Sequence, residues 1–362
     1  MKKSIITLAL VLVIAMLTGC AGTPVVYYSD CTCPTGAHTE TTPVETTAPV
    51  ESTPVAEGAV KTGIAIIASA GESKSATAEE NGEAKYDASI VAVTVDDNGV
   101  IQSCIIDSIG TSVTFDATGA ITSDLTAEVP TKNELGDAYN MKLYGGAVAE
   151  WYEQAAALAS YAVGKTVEEL RAGAVDETGH AADADLATTA TIYLGGYVAA
   201  IEKAAANAQH LGAQSGDELK LAIVSSVDGS KNADAENAGL AQLYTNAAAV
   251  TVKDGVITSC YIDAVQAKVN FDATGTVTTD LTAPIATKNE LGEGYGMKAW
   301  GGAIAEWNEQ AASFAAYITG KTPAEVAGIA VDESTKPTDA DLLTSVTIKI
   351  GDFQALIAKA CN

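Results

Sequence analysis

The strongest constraint on the fold is that the chain repeats itself. Residues 115–119 (FDATG) return as residues 271–275, and residues 131–136 (TKNELG) return as residues 287–292. The offset of 156 residues (115 to 271) holds without a gap over most of each copy, which chance does not produce. The sequence therefore predicts one unit built twice, and each copy has the size of an ordinary single domain.

The repeat and the composition divide the chain into four parts. We predict a signal peptide over 1–19, a tether over 20–60, copy 1 over 61–209 and copy 2 over 219–362. The tether is rich in Thr, Pro and Glu, so it cannot bury a core and should form an extended, solvated stalk.

The first twenty residues indicate where the chain is located. A short basic start precedes an apolar run over 5–17, which is too short for an ordinary membrane span. Residues 17–20 (LTGC) resemble the lipobox of bacterial lipoproteins. The resemblance implies cleavage before Cys20, acylation of Cys20, and a lipid anchor that holds the chain on the outer face of the cell membrane.

Charge and cysteine usage exclude several classes of partner. The formal net charge is −26 with a pI near 4.3, so nucleic acid and anionic lipid would be repelled. Five cysteines follow Cys20, and this odd count is not a disulfide framework. Cys104 and Cys260 fall at equivalent positions and are expected to be small buried residues, or else to face each other across an axis between the copies.

The local patterns predict an α+β unit, a small and mainly antiparallel sheet with helices packed on one face. Strands over 90–95 and 100–106 flank the turn 96–99 (DDNG), and 249–252 and 256–262 repeat this hairpin. A helix is predicted over 147–163. Thr166 and Thr322 should each cap a short helix, and last helices are predicted over 197–208 and 353–360. Alternation predicts strands over 188–194 and 344–350.

No catalytic constellation is evident. The only histidines, His38, His180 and His210, do not recur between the copies, so no Ser-His-Asp set is duplicated. No metal site is predicted, because no histidine is suitably spaced from Cys31 and Cys33. An enzymatic activity is therefore not expected.

One segment carries a family resemblance. Residues 185–192 (DLATTATI), followed by 196–204 (GYVAAIEKA), resemble the end of the bacterial FMN-binding domain family of extracytoplasmic flavoproteins. In that family the last threonine of an Asp-x-x-Ser/Thr-Gly-Ala-Thr motif takes FMN through a phosphoester. The resemblance implies that Thr191 and, by the offset, Thr347 accept FMN, with Asp185 and Asp341 as the acidic motif residues.

The chain departs from the family pattern inside the motif. Thr189 and Ser345 stand where the family has glycine, and Val346 stands where it has alanine. Covalent FMN, non-covalent FMN and a unit without flavin therefore remain open at the sequence level.

The repeat also marks a second candidate site between the sheet and the main helix. Its polar, charged and aromatic residues could line a pocket, with an indole stacking on a flat ring and lysines meeting an anion. Alternatively, the tryptophans belong to the core and the other side chains organise a loop. The residues are Lys132, Glu134, Lys142 and Trp151 in copy 1, and Lys288, Glu290, Lys298 and Trp307 in copy 2.

Three functions compete on this basis. The first is a membrane-anchored flavin carrier for extracellular electron transfer. The second is a non-redox surface module that captures a small ligand or a protein, with two copies providing avidity. The third is a structural role in the cell envelope.

Overall fold

The computed structural model describes residues 58–361, and the predicted signal peptide, Cys20 and most of the predicted tether lie outside the described residues. The described residues 58–361 belong to one compact unit that contains both copies. Each copy begins with three strands that form an antiparallel sheet, in which the strands lie in the same order as in the sequence. These strands are β1 (Lys61–Ser69), β2 (Gly82–Val95), β3 (Ile101–Phe115), β4 (Glu218–Ser226), β5 (Gly239–Lys253) and β6 (Val256–Phe271).

Six α-helices and one short 3₁₀ helix (Gly136–Tyr139 or Gly292–Tyr295) follow the sheet in each copy. In copy 1 the α-helices are α1 (Lys132–Leu135), α2 (Met141–Gly145), α3 (Trp151–Ala162), α4 (Val167–Gly173), α5 (Ala184–Thr189) and α6 (Gly195–Ala206). In copy 2 they are α7 (Lys288–Leu291), α8 (Met297–Gly301), α9 (Trp307–Ile318), α10 (Pro323–Ala327), α11 (Ala340–Leu343) and α12 (Gly351–Cys361). Within residues 58–361, no helix combines the length and the apolar character needed to cross a membrane.

The α+β fold predicted from sequence is confirmed. The hairpin turn is confirmed as well: Asp96 Oδ1 accepts the N–H groups of Asn98 and Val100, both at 2.9 Å, and Gly99 has φ +80°. Thr166 and Thr322 form the predicted capping boxes. The main helix starts later than predicted, at Trp151, because Glu150 is its N-cap.

The predicted strands over 188–194 and 344–350 are wrong. Thr188 lies in α5, and its hydroxyl donates to Asp185 O at 2.7 Å. The residues that follow form a loop with no strand partner, and the N–H groups of Thr191 and Ile192 donate instead to the side chain of Gln154. The side-chain amide of Gln154 therefore accepts the backbone hydrogen bonds that a neighbouring strand would accept if this segment were a strand.

Each sheet is buried on both faces. On one face, Val91 and Val93 of β2 pack with helix residues such as Leu158 and Ile201. On the other face, Ile90 of β2 packs with residues of the second sheet. The described residues therefore form four layers in the order helices, sheet, sheet, helices. The strands extend well beyond the predicted 90–95 and 100–106, because the second sheet covers their other face.

The two sheets meet around a pair of phenylalanines. The rings of Phe115 and Phe271 stack with centroids 3.9 Å apart and planes inclined by 1°. Both side chains are fully buried. A Cβ added at Gly82 would lie 2.3 Å from the Phe115 ring, and one added at Gly239 would lie 2.3 Å from the Phe271 ring. These two glycines therefore make room for the stacked pair.

Contacts between the copies are reciprocal. Ala76 N donates to Gly275 O, and Ala233 N donates to Gly119 O, both at 2.8 Å. The copies are therefore related by a local pseudo-twofold axis, as in the isologous interface of a homodimer.

Cys104 and Cys260 do not face each other across this axis. Cys104 packs in the core of copy 1, and Cys260 belongs to that of copy 2. Burial raises the pKa of both thiols. The three cysteines of residues 58–361 are free of disulfides.

Candidate functional site

The predicted FMN-accepting threonines lie at the surface, in loops that precede the last helix of each copy. We call residues 190–194 and 346–350 the acceptor loops. The Thr191 side chain is exposed, whereas Thr347 is half-buried. Asp185 and Asp341 lie exposed in the first turns of α5 and α11, whose N-caps are Asp183 and Asp339.

A buried glutamine holds each acceptor loop. Gln154 Oε1 accepts Thr191 N at 2.7 Å, Ile192 N at 3.1 Å and the Thr191 hydroxyl at 3.3 Å. Gln154 Nε2 donates to Ala149 O at 2.8 Å. This single carboxamide therefore ties the acceptor loop to the segment that precedes α3.

Copy 2 repeats this arrangement. Gln310 Oε1 accepts Thr347 N at 2.8 Å and Ile348 N at 3.2 Å, and Gln310 Nε2 donates to Ala305 O at 2.8 Å. Sequence reasoning did not recognise these glutamines as site residues. The available signal was that a polar residue recurs on the buried face of the helix in both copies.

A shallow groove of about 430 Å³ lies beside the acceptor loop of copy 1. Thr188 and Thr189 line one side of the groove, and α3 contributes Glu153, Ala156 and Ser160 to the other. The groove is lined by small side chains of α3 and reaches Thr189, two residues before Thr191.

An outer loop, which consists of the short helix α2 or α8 and the turn after it, precedes the main helix in each copy (residues 141–150 and 297–306). Glu150 Oε2 accepts Met141 N at 2.8 Å, and its Oε1 accepts Lys142 N at 3.2 Å. Glu306 repeats these contacts with Met297 N at 2.8 Å and Lys298 N at 3.0 Å. The buried carboxylates hold both loops in one conformation, with Lys142 and Lys298 exposed at the surface.

The outer loops present apolar side chains to solvent. Tyr144 is 84% exposed in copy 1, and Trp300 is 90% exposed at the equivalent position of copy 2. Leu143 and Val148 extend the exposed surface in copy 1, and Ile304 does so in copy 2. Aromatic side chains this exposed on a fixed loop are typical of interaction surfaces.

Trp300 gives this arrangement a spectroscopic test. The chain has three tryptophans, and Trp151 and Trp307 are buried. We expect acrylamide to quench mainly the Trp300 emission, so Trp300→Phe should remove most of the quenchable fluorescence. Tyr144→Phe, in the matching loop of copy 1, should leave the quenching unchanged. Equal quenching of the wild type and of Trp300→Phe would contradict the exposed position.

The structure brings together only part of the second predicted site. Lys132 Nζ lies 5.2 Å from the ring centroids of both Tyr139 and Trp151, a cation–π arrangement. Glu134 instead faces copy 2, where it pairs with Lys359, and Glu290 faces copy 1, where it pairs with Lys203 at 2.7 Å. The two glutamates therefore join the copies rather than line a pocket with the tryptophans.

Lys288 is enclosed more fully than its counterpart Lys132. Its Nζ lies 4.5 Å from the Tyr244 ring centroid, 4.9 Å from that of Tyr295 and 4.7 Å from that of Trp307. It also donates to the Tyr244 hydroxyl at 2.9 Å. Burial lowers the pKa of Lys288 from 10.5 to about 8.

This shift predicts a pH dependence of stability. Lys288 is charged in both states below pH 8, and burial of that charge destabilises the fold. Between pH 8 and 10.5 the unfolded chain retains the proton that the folded chain has lost, so stability should rise with pH. Urea unfolding measures this effect. From about pH 7 to about pH 9, the free energy of unfolding of the wild type should increase by about 1 kcal/mol relative to that of Lys288→Met.

Lys132→Met is the matched substitution in copy 1. It measures the change in the free energy of unfolding when a lysine that lies over a tryptophan ring, here Trp151, is removed. A constant free-energy difference between wild type and Lys288→Met across this pH range would contradict the lowered pKa.

Within residues 58–361, no group of three or more His, Cys, Asp or Glu side chains is arranged to hold a metal ion. Comparison with protein-family models, with curated proteins and with solved structures found no match for the chain.

Proposed function

We propose that the protein is a membrane-anchored, extracytoplasmic flavin carrier with one FMN attachment point per copy, at Thr191 and Thr347. The observation that carries the proposal is the position of the two threonines. Both lie in loops outside the sheets, just before the last helix, and Thr191 is exposed two residues after Thr189, which lines a groove. A transferase requires an accessible hydroxyl, and this geometry provides one in copy 1.

The departures from the family motif are compatible with this backbone. Thr189 and Ser345, which replace the family glycine, are not among the residues with positive φ. Neither position therefore needs the conformational freedom of glycine. Ala190 adopts an extended conformation at φ −133° and ψ 108°, which allows the chain to turn away from α5 toward Thr191.

A bound FMN would supply redox chemistry, and the residues of this chain would position it. The loop amides of Thr191 and Ile192 are fixed by Gln154, so the threonine hydroxyl has a defined place. The last helices begin at Gly195 and Gly351, and the N-terminal end of a helix favours a phosphate nearby. The outer surface of α3 offers a flat, small-residue face for the ring system.

The test is co-expression of the full chain with a bacterial flavin transferase. Intact mass and visible flavin absorption should report up to one covalent FMN per copy. Thr191→Val should remove the copy 1 flavin, and the Thr191→Val/Thr347→Val double variant should carry none. Thr188→Val, which removes a neighbouring hydroxyl, should keep both.

A transferase that labels a known substrate but leaves this chain unlabelled would refute the proposal. Flavin retained by the double variant would do the same, because it would place the attachment elsewhere.

A second candidate function is a non-redox module that binds a partner at the cell surface. The exposure of Tyr144 and Trp300 at equivalent positions favours it. Chemical cross-linking on cells should give products that disappear in a Tyr144→Ser/Trp300→Ser double variant and persist in Thr191→Val/Thr347→Val. Cross-linked products that survive the loss of both aromatic rings would exclude this surface.

A further inference from the structure

The outer edges of the two sheets differ. The segment that joins the copies, residues 207–217, runs back along the outer edge of β1. Thr62 N donates to Gln209 O at 2.8 Å, and Gln209 N donates to Thr62 O at 3.0 Å. Asn207 Nδ2 donates to Ile64 O at 3.1 Å. The edge of sheet 1 is therefore covered by the chain itself.

Strand β4 is the counterpart of β1 in copy 2. Lys203 Nζ donates to Ile66 O at 3.0 Å, and the equivalent lysine of copy 2 donates to Ile223 O. Counting back four residues from each acceptor, Leu219 of β4 corresponds to Thr62 of β1. Leu219 therefore stands where the joining segment covers the edge of copy 1.

The outer edge of β4 is open within residues 58–361. The backbone groups of successive residues in an antiparallel strand point alternately to its two sides. Since Ile223 O points away from β5, the N–H and C=O groups of Leu219 and Leu221 do so as well. No described residue forms a hydrogen bond with these groups. Free backbone groups along an edge are a template for another strand.

Two charged side chains flank Leu219. The side chains of Glu218 and Lys220 are 66% and 34% exposed, and they form an ion pair. If two β4 edges pair antiparallel with Leu219 opposite Leu219, Glu218 of each copy lies opposite Lys220 of the other. A register centred on Glu218 or on Lys220 instead places like charges opposite each other, which is destabilising. The edge of β4 is therefore complementary to itself in one register.

We infer that β4 pairs antiparallel with β4 of a second copy of this chain, so that the two β4–β5–β6 sheets become one six-stranded sheet. The two Leu219 residues exchange both N–H···O bonds, as Thr62 and Gln209 do at the edge of β1. The contact is isologous and β1 is already covered, so the assembly stops at a dimer. The inference does not depend on flavin at Thr191 or Thr347.

Sedimentation equilibrium of the full chain in a non-ionic detergent measures this association. We expect a monomer–dimer equilibrium with a Kd below about 100 µM, and a chain that stays monomeric up to that concentration would overturn the inference. Lys220→Glu places Glu opposite Glu at two positions in each dimer, and Glu218→Lys places Lys opposite Lys. Each should weaken dimerisation at least about tenfold.

The double variant Glu218→Lys/Lys220→Glu restores opposite charges in the same register. Its Kd should return to within about threefold of the wild-type value. Lys61 occupies in β1 the position that Glu218 has in β4, so Lys61→Glu is the matched control and should leave the Kd unchanged. A dimer that both single variants leave intact, or that the double variant fails to restore, would show that β4 does not form the contact.

Discussion

Phe115→Ala is expected to destabilise the chain by about 3–5 kcal/mol, because it empties a fully buried site at the contact between the two sheets. Phe271→Ala should cost a similar amount, since the two rings stack on each other. Urea unfolding followed by circular dichroism measures both. Tyr144→Ala removes an exposed aromatic ring and should change the stability by no more than about 0.5 kcal/mol.

The double variant separates stacking from burial. If the rings interact directly, the cost of removing both should differ from the sum of the single costs by about 0.5–1.5 kcal/mol. Both copies share this core, so unfolding should also be one cooperative transition. Two separate transitions, or a Phe115→Ala variant as stable as Tyr144→Ala, would contradict the four-layer packing.

Gln154→Leu is expected to cost about 2–4 kcal/mol, because it leaves the N–H groups of Thr191 and Ile192 and the carbonyl of Ala149 without their partner. The acceptor loop of copy 1 should then open more often. Amide hydrogen exchange at Thr191 and Ile192 should accelerate by at least tenfold, since 1.4 kcal/mol corresponds to about a factor of ten.

Gln310→Leu provides the matched experiment in copy 2. It should accelerate exchange at Thr347 and Ile348 and leave Thr191 and Ile192 protected. Under the flavin proposal, each glutamine variant should also reduce FMN loading at the threonine of its own copy only. Unchanged exchange at Thr191 in Gln154→Leu would show that the glutamine does not hold the loop.

Local chemistry explains what sequence analysis could predict. The hairpin turn depends only on Asp96 and Gly99, and each capping box depends only on a Thr and a Glu three residues apart. Both features can therefore be predicted from a few neighbouring residues. The main helix shows its buried face at helical spacing. These features do not depend on distant partners.

Distant contacts explain what sequence analysis missed. The strand predicted over 90–95 is β2, but its extension over 82–89 was missed. Ala84 and Tyr86 of this extension pack against residues of the other copy, and no local pattern encodes that contact. Residues 188–194 alternate like a strand, but Gln154, which lies far away in the sequence, provides the hydrogen bonds there.

The candidate sites show the same limit. Glu134 and Lys132 are close in sequence, yet the first pairs with Lys359 of the other copy and the second lies over Trp151.

The pseudo-twofold axis has an evolutionary consequence. A single copy with this apolar sheet face would have to pair with a second copy to cover it, and every mutation would then alter both subunits at once. Fusion of two genes releases that constraint, since one half can keep an original role while the other acquires a new one. The halves already differ in this way at the surface, where Tyr144 of one copy corresponds to Trp300 of the other.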